Sequence, residues 1–549
     1  MTAEDDKNFQ IEHVEGLSPT PLNVPHAETL LVDENVIRAE GEDKLTVYLV
    51  FLITIVGSLC RDDADSTEAA IAGFLFGYDT GIVGAALPLV GTDLGHELSS
   101  SEQEVITAAT TIGAIPGALI LGVLADRLGR KWAMAIADIA FTAGAIIIAT
   151  SFSVPQIIVG RLVLGVGVGG AAVIAPLYIA ELAPTAVRGR CVGTNAFFIP
   201  FGQTIASAIG AGFQDVHNGW RILFGIGVIP SIVQLCLMHW LPESPRVLLL
   251  RDRRDAAIAT LARIYSNATP EILALKLRVL EEHARETTRL EREFSFVERS
   301  KKLWTHKPYR RAIIAVCGVQ AFGQLTGYNS LLYYSGTVFS LLGFKNGAAA
   351  GLIVSGGNAL FVFVGMCIVD RVGRRRLLVV AVPFLIAGLV WASISFHFLT
   401  LSTGGVLLKD ATYSPAVAGS LLGAIVCFVV FFGVSLSHVI WYQSEFFSLE
   451  IRAAGSALAT TSCWVANLVI AVSYLSLMEK LTPAGTYGLY TGFCVIGYIF
   501  VLFCYPETKG LSIDETDSLF AHDFGVKKSI EMRKQKVMIA KQMREAMQA

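Results

Sequence analysis

Residues Gly160–Arg190 read GRLVLGVGVGGAAVIAPLYIAELAPTAVRGR. The run is apolar and Gly-rich over the length of a membrane span, yet it holds Arg161 near its start and closes on Glu181, Arg188 and Arg190. An arginine inside an apolar span costs about 2.5–3.5 kcal/mol on insertion scales, so its side chain should face a polar cavity or a partner instead of lipid. Asp79, the only acid in the run Ile71–Val90, is the nearest candidate partner. Gly165, Gly167, Gly169 and Gly170 let a neighbouring helix come close, which is how helices associate where lipid removes the usual hydrophobic drive. A buried Asp79–Arg161 pair between packed membrane helices is therefore expected.

The same pattern extends over the chain. Of its 549 residues 53% are hydrophobic, the mean hydropathy is +0.57, and apolar runs of 18 or more residues recur. That pattern specifies a polytopic helical membrane protein and excludes the soluble classes. The net charge of −3 decides little, because the distribution of Lys and Arg between loops matters more than the total. No basic patch suited to nucleic acid is evident. The nine cysteines lie singly in or beside apolar spans, without CxxC spacing, and read as small core residues. The ten histidines lack metal spacing, no Ser or Asp has a matching base, and GVGVGG has no strand before it. No catalytic site, metal site or cofactor is expected.

Apolar spans fall at 46–90 (interrupted), 103–124, 133–152, 155–180, 193–213, 221–241, 311–335, 348–369, 377–400, 415–442, 452–475 and 484–505, which makes twelve helices. Arg127, Arg130 and Lys131 follow the second span, Arg188 and Arg190 the fourth, a dense set from Arg246 to Arg311 the sixth, Arg371 and Arg374–Arg376 the eighth, and Lys527–Arg544 the twelfth. The alternate loops 91–102 and 210–220 contain no Lys or Arg. The positive-inside rule then puts both termini in the cytosol. Residues 1–43, polar and acidic, read as a disordered tail without a cleavable signal. A helical bundle of six spans is expected over 44–241 and another over 311–505. The loop 242–310, rich in Arg, Glu and Leu at helical spacing, is expected to hold short cytosolic helices, and 506–549 forms a tail.

The halves repeat. Glu181 with Arg188 recurs as Glu445 with Arg452, and Pro242-Glu243-Ser244 as Pro506-Glu507-Thr508, in each case 264 residues on. Asp126-Arg127-x-Gly129-Arg130 recurs as Asp370-Arg371-x-Gly373-Arg374, 244 residues on. A shared offset in two unrelated motifs indicates duplicated six-helix units, with a ligand site near mid-membrane between them.

These motifs, together with Pro176–Arg190, Pro242–Arg246 and Pro506–Gly510, resemble the sugar porter family of the major facilitator superfamily over 71–515. Gly219-Trp220-Arg221, Gly327–Thr337 and Trp441–Glu445 are most similar to fungal myo-inositol/proton symporters. The resemblance implies an all-α membrane protein with twelve transmembrane helices in two pseudo-symmetric six-helix bundles. It also implies proton-coupled symport of a polyol or sugar, and a monomer in the plasma membrane is expected. The alternatives are a hexose carrier, coupled or facilitative, and a nutrient sensor on the same scaffold, though sensors typically carry a longer tail than 511–549.

In the coupled members an acid stands at the position of Asp79, where facilitators commonly have Asn. The cation of Arg161 and the loss of water act on that carboxyl in opposite senses, so a change in their contact switches its proton affinity. Gln203, Gln324, Asn329, Asn358 and Trp441 match the family's polyhydroxyl-binding positions, and amides both donate and accept as hydroxyls do. Tyr333 and Tyr334 fit a gate or the core equally. Asp126, Arg127, Arg130, Glu181, Arg188 and Arg190, with Asp370, Arg371, Arg374, Glu445 and Arg452, resemble the family's inner latch.

The chain departs from the family in places. Gly323 replaces the first of two glutamines before Gly-x-Asn, Ile440 replaces a proline before Trp441, and Ser448 and Ala453 replace the proline and glycine of the second ExxPxxxRG motif. Within the first span, Arg61–Glu68 carries five charges in eight residues, which cannot lie in lipid at tolerable cost. Joining Cys60 to Ala70 restores a family-like helix, so the segment reads as an unremoved intron or gene-model error, decided by sequencing the transcript. If it is real, it should loop out.

Overall fold

The computed structural model describes the backbone of residues 64–183, 188–265, 268–293, 296–342, 347–408, 411, 413–447, 451–509 and 518–548; within these, some side chains, including those of 64–70, 188–192 and 370, are outside the description. The tail 1–43 and the apolar run before Arg61 lie outside the described residues.

Among the described residues every regular element is helical. The first half comprises α1 (Ala64–Val90), α2 (Ser100–Leu128), α3 (Arg130–Ala149), α4 (Val154–Leu182), α5 (Arg188–Gly212) and a sixth span broken at Gly227 into α6 (Gly219–Ile226) and α7 (Val228–Leu237). Four helices occupy the central loop: α8 (Pro245–Leu250), α9 (Arg254–Ile264), α10 (Pro270–Glu293) and α11 (Phe296–Thr305). The seventh span is α12 (Lys307–Leu325) with α13 (Tyr328–Leu341), and α14 (Gly347–Val372) and α15 (Arg374–Leu399) follow. The tenth span runs through α16 (Pro415–Val434), α17 (Leu436–Val439) and a 3-10 segment, Ile440–Phe446. Then come α18 (Arg452–Ala471) with α19 (Tyr474–Lys480), α20 (Thr482–Cys504) and, in the tail, α21 (Val526–Gln548).

Among the described residues, ten of the twelve spans are long and apolar enough to cross a bilayer. The fifth and seventh are not, and the reason bears on function. α5 carries Asn195 and Gln203 into the interior, while α12 and α13 carry Gln320, Gln324 and Asn329 and are separated by a break at Gly327. Spans that line a polar interior cannot be uniformly apolar.

One expectation is corrected. Ala64–Glu68 does not loop out: its backbone continues α1 without interruption into the apolar run. Intrahelical hydrogen bonds satisfy that backbone, and a helix can project beyond the apolar layer, where charge is hydrated at little cost.

The halves share their turn chemistry. Gly129 and Gly373 hold φ of 89° and 105° between the second and third and the eighth and ninth spans, a backbone state that a β-carbon disfavours. Each turn is closed by the glutamate of a distant motif. Arg130 N donates to Glu243 Oε1 at 2.8 Å, and Arg374 N donates to Glu507 Oε1 at 3.0 Å. The repeated Pro-Glu dipeptides therefore serve to cap the helix after the turn.

α4 is the hub of the first half, packed on α2 and α3. Gly165 and Gly169 lie against the backbone of Thr110 and Ala114 in α2, and Gly167 against Ala137 and Phe141 in α3. Gly169→Val would force α2 and α4 apart, at a cost of about 1–3 kcal/mol. A lowered melting temperature in detergent is the expected result. Gly122→Ala, where an added carbon meets only ordinary contacts with Val173 and Ala457, should melt like the parent. The halves meet along α1 with α13, α2 with α18 and α5 with α14.

Candidate functional site

The arginine of the hub helix reaches α1. Arg161 Nη1 donates to Asp79 Oδ1 at 2.6 Å, and both side chains are 2% exposed. The guanidinium also lies 5.8 Å from the centre of the Phe224 ring in α6. A buried charge is tolerable when paired, and the two partners here neutralise one another where little else does. Asp79 Oδ2 and Arg161 Nε have no hydrogen-bond partner. The pair is therefore less than fully satisfied.

Between the halves lie two hydrogen-bonded sets of polar groups, the first of which begins beside Asp79. Gln203 Nε2 donates to Thr80 Oγ1 at 3.2 Å, and Gln203 Oε1 accepts from the Tyr328 hydroxyl at 3.2 Å. Asn358 of α14 is 1% exposed and lies beside Tyr328. Asn329 Nδ2 donates to Gln324 Oε1 at 2.5 Å and, longer, to Asn467 Oδ1 at 3.4 Å. Gln324 Nε2 points at Cys463 Sγ, 3.2 Å away, and Asn467 Nδ2 donates to the Tyr333 hydroxyl at 3.0 Å. Trp441 faces the edge of Phe76 of α1, whose ring also meets Trp464 at 5.3 Å. Gln203 thus lies on Tyr328, Gln324 and Asn329 on one another and towards Asn467, and Trp441 against Phe76, each buried or half-buried between helices.

The two tyrosines separate. Tyr333 joins the second set through Asn467, whereas Tyr334, fully buried, donates to the Ala471 carbonyl at 2.9 Å and stacks on Tyr474. Thr80, Tyr328, Cys463, Trp464 and Asn467 belong with these groups but were not singled out from the sequence. The available signal was a polar or aromatic residue within an apolar span, such as Trp464 and Asn467 at helical spacing in SCWVANL. The same signal describes any interhelical hydrogen bond.

The latch candidates lie at the Arg-rich end. Arg130, 3% exposed, pairs with Asp126 at 2.6 Å and Glu181 at 2.9 Å. In the second half Arg374 pairs with Glu445 at 3.0 Å, covers the Tyr442 ring at 4.7 Å, and shares Glu445 with Thr508. Arg127 and Arg371 have exposed side chains, and their carbonyls accept from Arg251 and Lys509. Arg452 is half-buried at the start of α18. The side chains of Arg188, Arg190 and Asp370 lie outside the described residues. Each ion pair named here closes within one half.

What joins the halves differs at the two ends. Towards the Arg-rich end the contacts are aromatic and apolar: Phe197 meets Phe363 at 6.0 Å between centroids, and Gly193 faces Met366 and Tyr442. At the opposite end they are polar. Glu104 of α2 accepts from Ser476 N and Ser476 Oγ, both at 2.8 Å, and Ser100 Oγ donates to Glu479 at 2.7 Å.

Two six-span halves, the first holding a buried acid–guanidinium pair and both holding amides in their interior, define a membrane transporter of the major facilitator type, not an enzyme. The chain belongs to the family described as sugar (and other) transporter, whose family model matches residues 66–520. It is 65% identical over 537 residues to myo-inositol transporter 2 of Cryptococcus neoformans var. grubii, covering 97% of this chain and 94% of that one. A myo-inositol transporter 2 of Schizosaccharomyces pombe is 39% identical over 460 residues, covering 84% and 82% respectively. Among solved structures, the proton:xylose symporter XylE bound to 6-bromo-6-deoxy-D-glucose aligns with a TM-score of 0.69 at 25% identity, over 83% of this chain and 98% of the other.

Proposed function

We propose that this protein carries myo-inositol together with a proton, by alternating access of the region between its halves. The reading is supported chiefly by the short path from Asp79 to the amides: Thr80, its immediate neighbour in α1, is bonded to Gln203 of α5, which is bonded to Tyr328 of α13. Protonation of Asp79 cancels the charge that holds Arg161 and loosens α1 from α4. Solute hydroxyls engaging Gln203, Gln324, Asn329 and Asn358 act on the same stretch of α1 from the other side, with Trp441 covering the ring. Proton and solute thereby bias one equilibrium, which requires only that each bind the two conformations differently.

The Arg-rich end faces the cytosol in this reading, with both termini, and the Glu104–Ser476 end faces outward from a plasma membrane. Ion pairs within each half stiffen the cytosolic helix ends, and a monomer suffices for the cycle.

Uptake of labelled myo-inositol and of hexoses into cells lacking their own carriers, with external alkalinisation recorded, tests the reading. Concentrative inositol uptake accompanied by proton entry is expected, and uptake of hexose alone, or inositol uptake without proton entry, would refute it. Gln324→Ala should raise KM for myo-inositol roughly 5- to 150-fold at similar protein level, since losing one amide leaves a desolvated hydroxyl unpaired at about 1–3 kcal/mol.

A further inference from the structure

Tyr328 holds an unusual place among these groups. It follows Gly327, whose φ of 82° breaks the seventh span and starts α13 afresh. Its ring lies flat on Phe432 of α16, with centroids 4.4 Å and planes 14° apart, and the residue is 3% exposed. The phenol is thus placed by packing, independently of what its oxygen does.

That oxygen donates to Gln203 of the first half at 3.2 Å and has the buried amide of Asn358, in the second half, beside it. One hydroxyl, held between two amides and able to give one bond and take another, reproduces what an alcohol group of a polyol would offer them. Gln203 Nε2 gives one hydrogen to Thr80, while Oε1 is the acceptor that Tyr328 uses. An incoming hydroxyl that engages Gln203 therefore meets the phenol at the same acceptor, and a freed phenol has a donor to give.

We propose that Tyr328 is a specificity-determining residue of the transport site, whose hydroxyl exchanges its bond to Gln203 for one to a ring hydroxyl of a cyclic polyol, so that Tyr328, Gln203 and Asn358 together read one hydroxyl position. The proposal rests on the polyol reading and adds a contact that the amides alone do not supply. It distinguishes the phenol from a structural tyrosine, which would affect all solutes alike.

Tyr328→Phe keeps the ring on Phe432 and removes only the oxygen. KM and maximal rate are measured for myo-inositol and for a panel of monodeoxy-inositols, in whole transporter expressed in carrier-free cells. KM for myo-inositol is expected to rise roughly tenfold, the loss of about 1.4 kcal/mol, with the maximal rate near that of the parent. One deoxy isomer, already poor for the parent, should lose little more, because the missing solute hydroxyl and the missing phenol oxygen are two ends of one bond and such losses do not add. Thr80→Val, which disturbs Gln203 without removing a reading group, should shift the whole panel by a common factor. If Tyr328→Phe does not reach the membrane, the same comparison with Asn358→Ala must single out one isomer too. A uniform shift across the panel, or none, overturns the proposal. Gln324→Ala run in parallel separates the two readings: raised KM there with an unaltered Tyr328→Phe panel sinks this inference alone, and an unaltered KM in both sinks the polyol reading as well.

Discussion

Asp79→Asn should abolish uphill accumulation of solute while leaving solute exchange across the membrane intact. The substitution conserves size and still offers an oxygen to Arg161 Nη1, which now lies 2.6 Å from Oδ1, so a neutral hydrogen bond between α1 and α4 remains and mimics the protonated carboxyl. What is lost is the capacity to gain and lose a proton. One charge moving through 100 mV is worth about 2.3 kcal/mol, roughly a 50-fold concentration ratio, and none of it reaches the solute without a titrating group. Steady-state inside-to-outside ratios of labelled inositol should fall to unity, and counterflow under equal pH should continue. A variant that concentrates solute as the parent does would show that the proton is carried elsewhere.

Arg161→Leu should be the most damaging single change to stability. It strands the Asp79 carboxylate among Tyr78, Phe141, Leu164 and Phe224, with no other cation among the described residues paired to it. Removing one partner of a buried pair costs about 3–5 kcal/mol, because the remaining charge is left uncompensated. Little folded transporter should be recovered, as read by the monodisperse fraction in detergent. Adding Asp79→Asn removes the stranded charge and should restore much of the protein while leaving it unable to accumulate solute. Should the single variant be as abundant and monodisperse as the parent, the pair contributes no such stability; a double variant no better than the single would mean that Arg161 acts through other contacts.

Much of the architecture was legible from residue order. Membrane spans announce themselves by length and apolarity because lipid offers no partner to a polar backbone, and repeated motifs at a common offset revealed the duplication. The polar start of the first helix was misjudged, since charge counting assumes that a charged segment leaves the helix when it leaves the lipid. Ala64–Glu68 stays helical. The amides were singled out by their positions in the family resemblance, whereas Tyr328, Thr80 and Asn467 were passed over because aromatic and hydroxyl side chains in a span usually pack or bond to their own helix.

The order of residues therefore settles which segments enter the bilayer, that two related halves exist, and that an acid and an arginine are each too costly to leave alone in lipid. Those are properties of single segments, set by transfer free energy and periodicity. Which side chains share a hydrogen bond depends on how helices far apart in the chain rotate and approach. The Asp79–Arg161 pair was already expected from its cost in lipid, but the bonding of Gln203 to both Thr80 and Tyr328, and the polar closure by Glu104 and Ser476 opposite an aromatic one, were decided there. Close packing through small residues selects those neighbours, and no local pattern encodes them.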